Sequence, residues 1–239
     1  MESAIVTGAS SGIGAAIVEA LSREDVQVTA IARRGNLLAE LARRTGCDVA
    51  VADVGDLSAT IPLVERLRPE ILVNNAGIGL GIFGISSLSR EDIERSISTN
   101  ISAPVQMTRA AIPHMLRAGK GHIVNIGSIT GLHTLTSAVY GAGKGAVHRF
   151  SQNLRNELLG TGIRVSEICP GRVLSEFYDS KTGNIEEHED SSVDVEVLQP
   201  EDVAEAVLFA LRAPRHVNIS TIELLPTSQV VGGSKFAES

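Results

Sequence analysis

The sequence predicts an α/β fold: a doubly wound parallel β-sheet with helices on both faces, spanning residues 1–239 as a single domain. Three observations point to it. Short apolar runs alternate with longer amphipathic ones from end to end, the order of strand–helix–strand units. Several short runs, VQVTAIA, ILVNN and HIVNIG, are apolar throughout, as strands are when both faces of their sheet are covered. The first run leads directly into TGASSGIG, a glycine-rich turn between strand and helix.

Strands are expected at 3–7, 26–32, 47–51, 70–74, 121–127, 162–168 and 218–225, and helices at 12–22, 36–44, 58–67, 89–117, 138–160 and 200–212. The first strand stops at the glycines of the turn. The second ends in AIARRGN, the third in VADVGD and the fourth in NNAG. The long helical pattern 89–117 carries STNISAP, the fifth strand ends at Ser128, and the sixth ends at Pro170–Gly171. One segment, 175–199, has no periodicity and many acids against a single lysine. It is either a solvated loop or a mobile lid over the site.

Composition excludes several functions. A net charge of −7 and a pI near 5.4 leave no bulk positive field for a phosphate backbone, so no nucleic acid partner is expected. No apolar run approaches the ~20 residues of a membrane span, and the chain opens directly into its first strand, so neither a membrane partner nor a leader is expected. Cys47 and Cys169 make no disulfide framework, which fits a reducing cytoplasm. No metal site is expected.

Two motifs carry chemistry. Gly8, Gly12 and Gly14 let the chain turn tightly and approach a pyrophosphate, which the N–H groups opening the next helix would bind. The spacing is GxxxGxG, not the commoner GxGxxG. In AVYGAGKGAV, Tyr140 and Lys144 lie four residues apart, on one face of a helix that accepts roughly 1 kcal/mol per interior glycine. A carbinol that gives up a hydride needs a base for its hydroxyl proton, and a free phenol with a pKa of about 10 is too weak near neutral pH. An ammonium one turn away favours the phenolate. A shift of ~3 units would correspond to ~4 kcal/mol.

In order, the glycine-rich turn, NNAG at 74–77, Asn100, Ser128, Tyr140-xxx-Lys144 and Pro170–Gly171 resemble the short-chain dehydrogenase/reductase family over essentially the whole chain. The resemblance implies a Rossmann-like sheet and an enzyme moving hydride between a CH–OH group and a nicotinamide cofactor. Tyr140 would be the acid/base, and Lys144 would tune it and hold the nicotinamide ribose. Ser128 would hydrogen-bond the substrate oxygen, and Asn100 would hold a water linking Lys144 to solvent. The cofactor would lie along Gly8, Ser10, Ser11, Gly12, Ile13 and Gly14. Asp53 and Val54 would reach its adenine, Asn75, Ala76 and Gly77 its adenosine side, and Pro170, Gly171 and Val173 its far end.

The end of the second strand decides the cofactor. An acid there would accept from the ribose of NAD and repel a 2′-phosphate; this chain has Ala32, Arg33 and Arg34. Two guanidiniums suit a 2′-phosphate by bidentate charge-assisted bonds, so NADP is expected. By resemblance the substrate pocket is formed by 79–84, 129–135, the stretch after Pro170–Gly171 and the variable segment 175–199, with His133 and Arg172 as polar contacts beside Ser128 and Tyr140. The C-terminal stretch 213–229 is similar to a bacterial NADP-dependent subgroup acting on serine-like and 3-hydroxy acids. A small hydroxy acid is therefore the expected substrate, and the family implies a homotetramer, or a dimer, in the cytoplasm. Two other readings compete. A 3-oxoacyl carrier-protein reductase would have to admit an acidic carrier past the acidic segment 175–199. A non-catalytic NADP-binding regulator would not need Asn100, Ser128, Tyr140 and Lys144 together.

Overall fold

The structure, a computed structural model, describes residues 2–80, 84–135, 137–174 and 196–233. Seven strands form one sheet in the order β3-β2-β1-β4-β5-β6-β7. They are β1 Ser3–Thr7, β2 Gln27–Ala32, β3 Asp48–Val51, β4 Ile71–Asn74, β5 Gly121–Ile126, β6 Ile163–Pro170 and β7 Thr221–Leu224, and every neighbouring pair is parallel. The helices are α1 Gly12–Arg23, α2 Gly35–Thr45, α3 Leu57–Leu67, α4 Arg90–Ile97, α5 Ala103–Ala118, α6 Ile129–Leu132, α7 Ala138–Glu157 and α8 Pro200–Arg212. From β1 the chain winds outward to β3 and returns through α3 to β4, beside β1. That reversal opens a crevice at the carboxyl ends of β1 and β4.

The unbroken apolar strands have a direct cause. Along β1, Ala4 and Val6 pack toward α1, α2 and α8, while Ile5 between them packs toward α3, α5 and α7. In β4, Ile71 and Val73 likewise oppose Leu72. Both sides of the pleat are covered, so no polar alternation appears in the sequence.

Two elements depart from the expected pattern. The helix expected over 89–117 is divided by a wide π-helical turn, Ser98–Ser102, in which the Ala103 N–H reaches the Ser98 carbonyl five residues back. Pro104, which follows, has no N–H for a regular helical bond and cannot continue α4 in register. β7 begins later than expected because the Asn218 side chain does a strand's pairing. Its Oδ1 accepts from Val165 N (2.8 Å) and its Nδ2 donates to Val165 O (3.0 Å). The segment 175–199 falls mostly outside the described residues; its base is closed by the Val173–Leu198 bridge.

His122, buried on β5, makes stability sensitive to acid. The Ser166 hydroxyl donates to the Ile219 carbonyl (2.6 Å), so it accepts from His122 Nε2 at 2.8 Å. Nδ1 then carries no proton and, among the described residues, has no partner. Burial, aided by the Arg164 charge, lowers the His122 pKa to about 3. The unfolded chain takes up this proton near pH 6.5 and the folded chain only near 3, so stability falls with pH across that window. The slope from this residue is about 1.4 kcal/mol per unit at most. Urea midpoints should therefore drop between pH 7 and 5, and His122→Gln, which cannot protonate, should flatten the drop.

Candidate active site

The turn between β1 and α1 floors the crevice. Gly8 has φ +65°, and a Cβ there would lie 2.8 Å from the Ala76 Cα, so only glycine lets this turn rest on the end of β4. No side chain caps α1, which leaves the N–H groups of its first turn available to an anion. The Thr7 hydroxyl accepts from the N–H groups of Asn75 and Ala76 (3.0 Å each), and Asn75 Nδ2 donates to Thr7 O at 2.9 Å. Asn74 Nδ2 donates to Asn125 Oδ1 (2.8 Å), and Asn125 Nδ2 to the Ser151 hydroxyl of α7 (2.8 Å). The NNAG stretch thus joins the ends of three strands to the helix that carries Tyr140.

At the end of β2, Ala32 is buried and both arginines are exposed. Arg34 lies against the turn, donating to the hydroxyls of Ser10 (Nε, 3.1 Å) and Ser11 (Nη2). Arg33 Nη1 is 3.7 Å from Asp53 Oδ2, whose other oxygen accepts from Gly55 N at 2.9 Å. Two guanidiniums therefore flank the rim where a carboxylate would otherwise stand.

The reactive groups come from the start of α6, just past the end of β5, and from α7. Ser128 Oγ accepts from the N–H (3.2 Å) and the hydroxyl (3.0 Å) of Thr130, which leaves its own proton to donate. Tyr140 is half-buried in the first turn of α7, and Lys144 Nζ lies 5.8 Å from its ring centroid. Lys144 is buried, and its ammonium donates to the Ile126 carbonyl at 2.7 Å. Burial lowers its pKa to about 8, with the nearby Glu167 carboxylate acting the other way. The glycines of α7 are not where the packing is tightest. A Cβ at Gly141 or Gly145 would make ordinary contact with α6, whereas one at Gly131 of α6 would stand 2.7 Å from the Lys144 carbonyl.

Glu167 was absent from the sequence reading. It is fully buried on β6, with Oε2 2.7 Å from His148 Nδ1 and, among the described residues, no hydrogen-bond partner for Oε1. Its signal was a lone acid inside the apolar run IRVSEICPG. Burial, reinforced by this neighbouring carboxyl, raises the Cys169 thiol far above its ordinary range, so Cys169 is neutral.

These parts enclose one cleft of about 350 Å³. Its walls include Ser10, Ser11, Gly12, Ile13 and Gly14, then Arg33, Arg34, Asp53 and Val54, then Asn75, Ala76 and Gly77. Ser128, Tyr140, Lys144, Pro170, Gly171 and Val173 complete it. Three expected site residues lie elsewhere. Asn100 sits behind the cleft in the π-helical turn, where Oδ1 accepts from Ile78 N (2.9 Å) and Nδ2 donates to Ile78 O (2.9 Å) and Ser96 Oγ (3.1 Å). Both of its side-chain N–H donors are engaged. His133 is turned to the edge strand, with Nε2 2.7 Å from Glu223 Oε1. Arg172 is exposed outside the cleft walls. Of the pocket stretch 79–84, residues 81–83 lie outside the described residues, and among the described residues no acidic, histidine and cysteine side chains cluster as a metal site would need.

Residues 2–186 match the family described as short chain dehydrogenase. The chain is 38% identical over 240 residues to NADP-dependent 3-hydroxy acid dehydrogenase YdfG of Escherichia coli K12, covering 96% of each. It is also similar to the closed form of serine dehydrogenase complexed with NADP+, at TM-score 0.90 and 38% identity over 99% of this chain and 100% of that one. Serine dehydrogenase from Escherichia coli superposes at TM-score 0.82 with 37% identity, covering 95% of this chain and 99% of the other. The parallel sheet, the glycine-floored crevice and these likenesses agree: the chain belongs to the short-chain dehydrogenase family.

Proposed function

We propose that this protein is an NADP(H)-dependent oxidoreductase that interconverts a small hydroxy acid and its carbonyl, with Tyr140 as acid/base. The observation that carries the reading is one cleft holding a donor hydroxyl, a phenol beside an ammonium, and an arginine-flanked glycine turn. The dinucleotide fits this cleft on the evidence of its floor: an uncapped helix start for the pyrophosphate, and Arg33 and Arg34 for the 2′-phosphate. When bound, it accepts or supplies the hydride.

The chain's own groups do the rest. Ser128 donates a hydrogen bond to the substrate oxygen and keeps its proton. Tyr140 takes the hydroxyl proton in oxidation and returns it in reduction. Lys144 keeps a positive charge below the phenol and reaches the cofactor ribose. The names of the similar proteins support a 3-hydroxy acid or serine-like substrate over an acyl carrier. The family match supports a cytoplasmic homotetramer joined through α4, α5 and α7, which light scattering on the purified protein would measure.

The assay is a panel of serine, 3-hydroxypropionate, simple alcohols and an acyl thioester, followed by NADP(H) absorbance. Turnover of a hydroxy acid supports the reading, and turnover of the thioester alone would replace it. Lys144 supplies the pH test. Its ammonium is present below about pH 8 and lost above it, so NADPH binding should weaken above that point. Lys144→Met should bind more weakly at neutral pH and show no such alkaline change. An unchanged Kd in that variant would remove the ribose contact.

A further inference from the structure

We propose that the C-terminal turn, Pro226–Gly233, is a latch that sets the position of the cleft's Pro170–Val173 lip, with Gln229 as its positioning residue. The lip begins where the chain leaves β6. Gly171 N bonds the Leu224 carbonyl (2.7 Å), the bond that closes the sheet's last regular pair, Pro170 with Leu224. Beyond that rung, Gln229 takes over. Its Oε1 accepts from Arg172 N at 3.0 Å, and its Nε2 donates to the Gly233 carbonyl at 2.9 Å. Gln229 is only 8% exposed, and both ends of its amide are satisfied, one by Arg172, 57 residues away in sequence, and the other by Gly233 within the turn.

Gly171 reports the same contact from the other side. A Cβ there would run into Gln229 Oε1 and lie 2.8 Å from Leu225 Cδ2, although its φ needs no glycine. Glycine at this position makes room for the latch.

The turn also holds the lip's surroundings. Ser228 Oγ donates to the Glu196 carbonyl (3.3 Å), on the segment that leads into the Val173–Leu198 bridge beside the lip. There Leu174 N bonds Leu198 O (2.8 Å) and Leu198 N bonds Arg172 O (3.1 Å). On the opposite flank, the His133 ring, fixed by Glu223, packs on Gly232, where a Cβ would stand 3.2 Å from Nδ1. One short turn thus ties together three pieces of chain, and Gly171 and Val173 of the lip line the cleft. Releasing it should let the lip drift from bound ligand while Ser128, at the start of α6, and Tyr140 and Lys144, on α7, keep their places.

The choice of NADPH as probe rests on the function proposed above. Gln229→Met keeps the side chain's length and removes both hydrogen bonds. Amide exchange at 170–174 should accelerate about tenfold, and the Kd for NADPH should rise about 5- to 20-fold, the scale of one or two lost hydrogen bonds. At saturation, kcat should stay within about twofold, since the loss is in binding common to ground and transition states. Gly171→Ala should displace Gln229 and accelerate exchange at 226–233; this variant carries the test if Gln229→Met does not fold. Wild-type exchange in both segments, or faster exchange with an unchanged NADPH Kd, would overturn the latch. A wild-type protein that binds no NADPH would count against the proposed cofactor, and the exchange measurements would still judge the latch.

Discussion

Tyr140→Phe abolishes turnover and leaves NADPH binding within about threefold of wild type: this is the largest effect expected. General acid–base catalysis contributes typically 10²–10⁴-fold, so kcat should fall by roughly 10³-fold or more. The phenylalanine keeps the ring in the first turn of α7 and removes only the oxygen that moves the proton. Lys144 stays in place, because its own hydrogen bond runs to the Ile126 carbonyl and not to the phenol. Its Nζ lies 5.8 Å from the ring centroid, close enough for the buried ammonium to stabilise a phenolate. Stopped-flow turnover and fluorescence titration with NADPH separate the two effects. A variant that keeps more than a few per cent of the wild-type kcat would take the acid/base role away from Tyr140.

The second large effect is in cofactor choice. Ala32→Asp with Arg33→Ala and Arg34→Ala should move the enzyme toward NAD(H). A hydrogen bond to a charged group contributes roughly 1.5–3 kcal/mol net, so losing both arginines should erase most of a preference of about 100-fold. The change should fall mainly on the KM for NADPH, since the 2′-phosphate is bound alike in ground and transition states. The two arginines are not equivalent. Arg34 is already anchored on Ser10 and Ser11, so its guanidinium is preorganised over the turn, whereas Arg33 pairs loosely with Asp53. Arg34→Ala alone should therefore cost more than Arg33→Ala alone, and it should also weaken NADH slightly by freeing the turn. Added salt should reduce NADPH binding more than NADH binding, because both guanidiniums are exposed and screened.

The sequence is most legible where chemistry is local. Most strand ends are legible because the apolar run meets a glycine, asparagine or proline, whereas β2 and β3 run out into Arg33–Arg34 and Asp53. The ends of β1 to β6 together assemble the cleft. The pairing of Tyr140 with Lys144 follows from helical spacing alone. Legibility fails where partners are distant in the chain. His133 reads as a pocket residue until Glu223, 90 residues on, claims its ring. Gln229 carries no local signal, and only the fold brings it to Arg172. The π-helical turn at 98–102 is hidden for another reason. Pro104 is acceptable in the first turn of a helix, so the long apolar pattern runs through the break without a visible stop. Glu167 could have been noticed, since a buried carboxyl in a strand covered on both faces needs a partner, and His148 supplies one.

The most direct test of the account is the ratio of kcat/KM for NADP+ over NAD+ in the oxidation of 3-hydroxypropionate or serine by the wild-type protein. The account predicts turnover with NADP+ and a ratio of about 100 or more. No nicotinamide reduction with either hydroxy acid, or equal kcat/KM for the two cofactors, would contradict it.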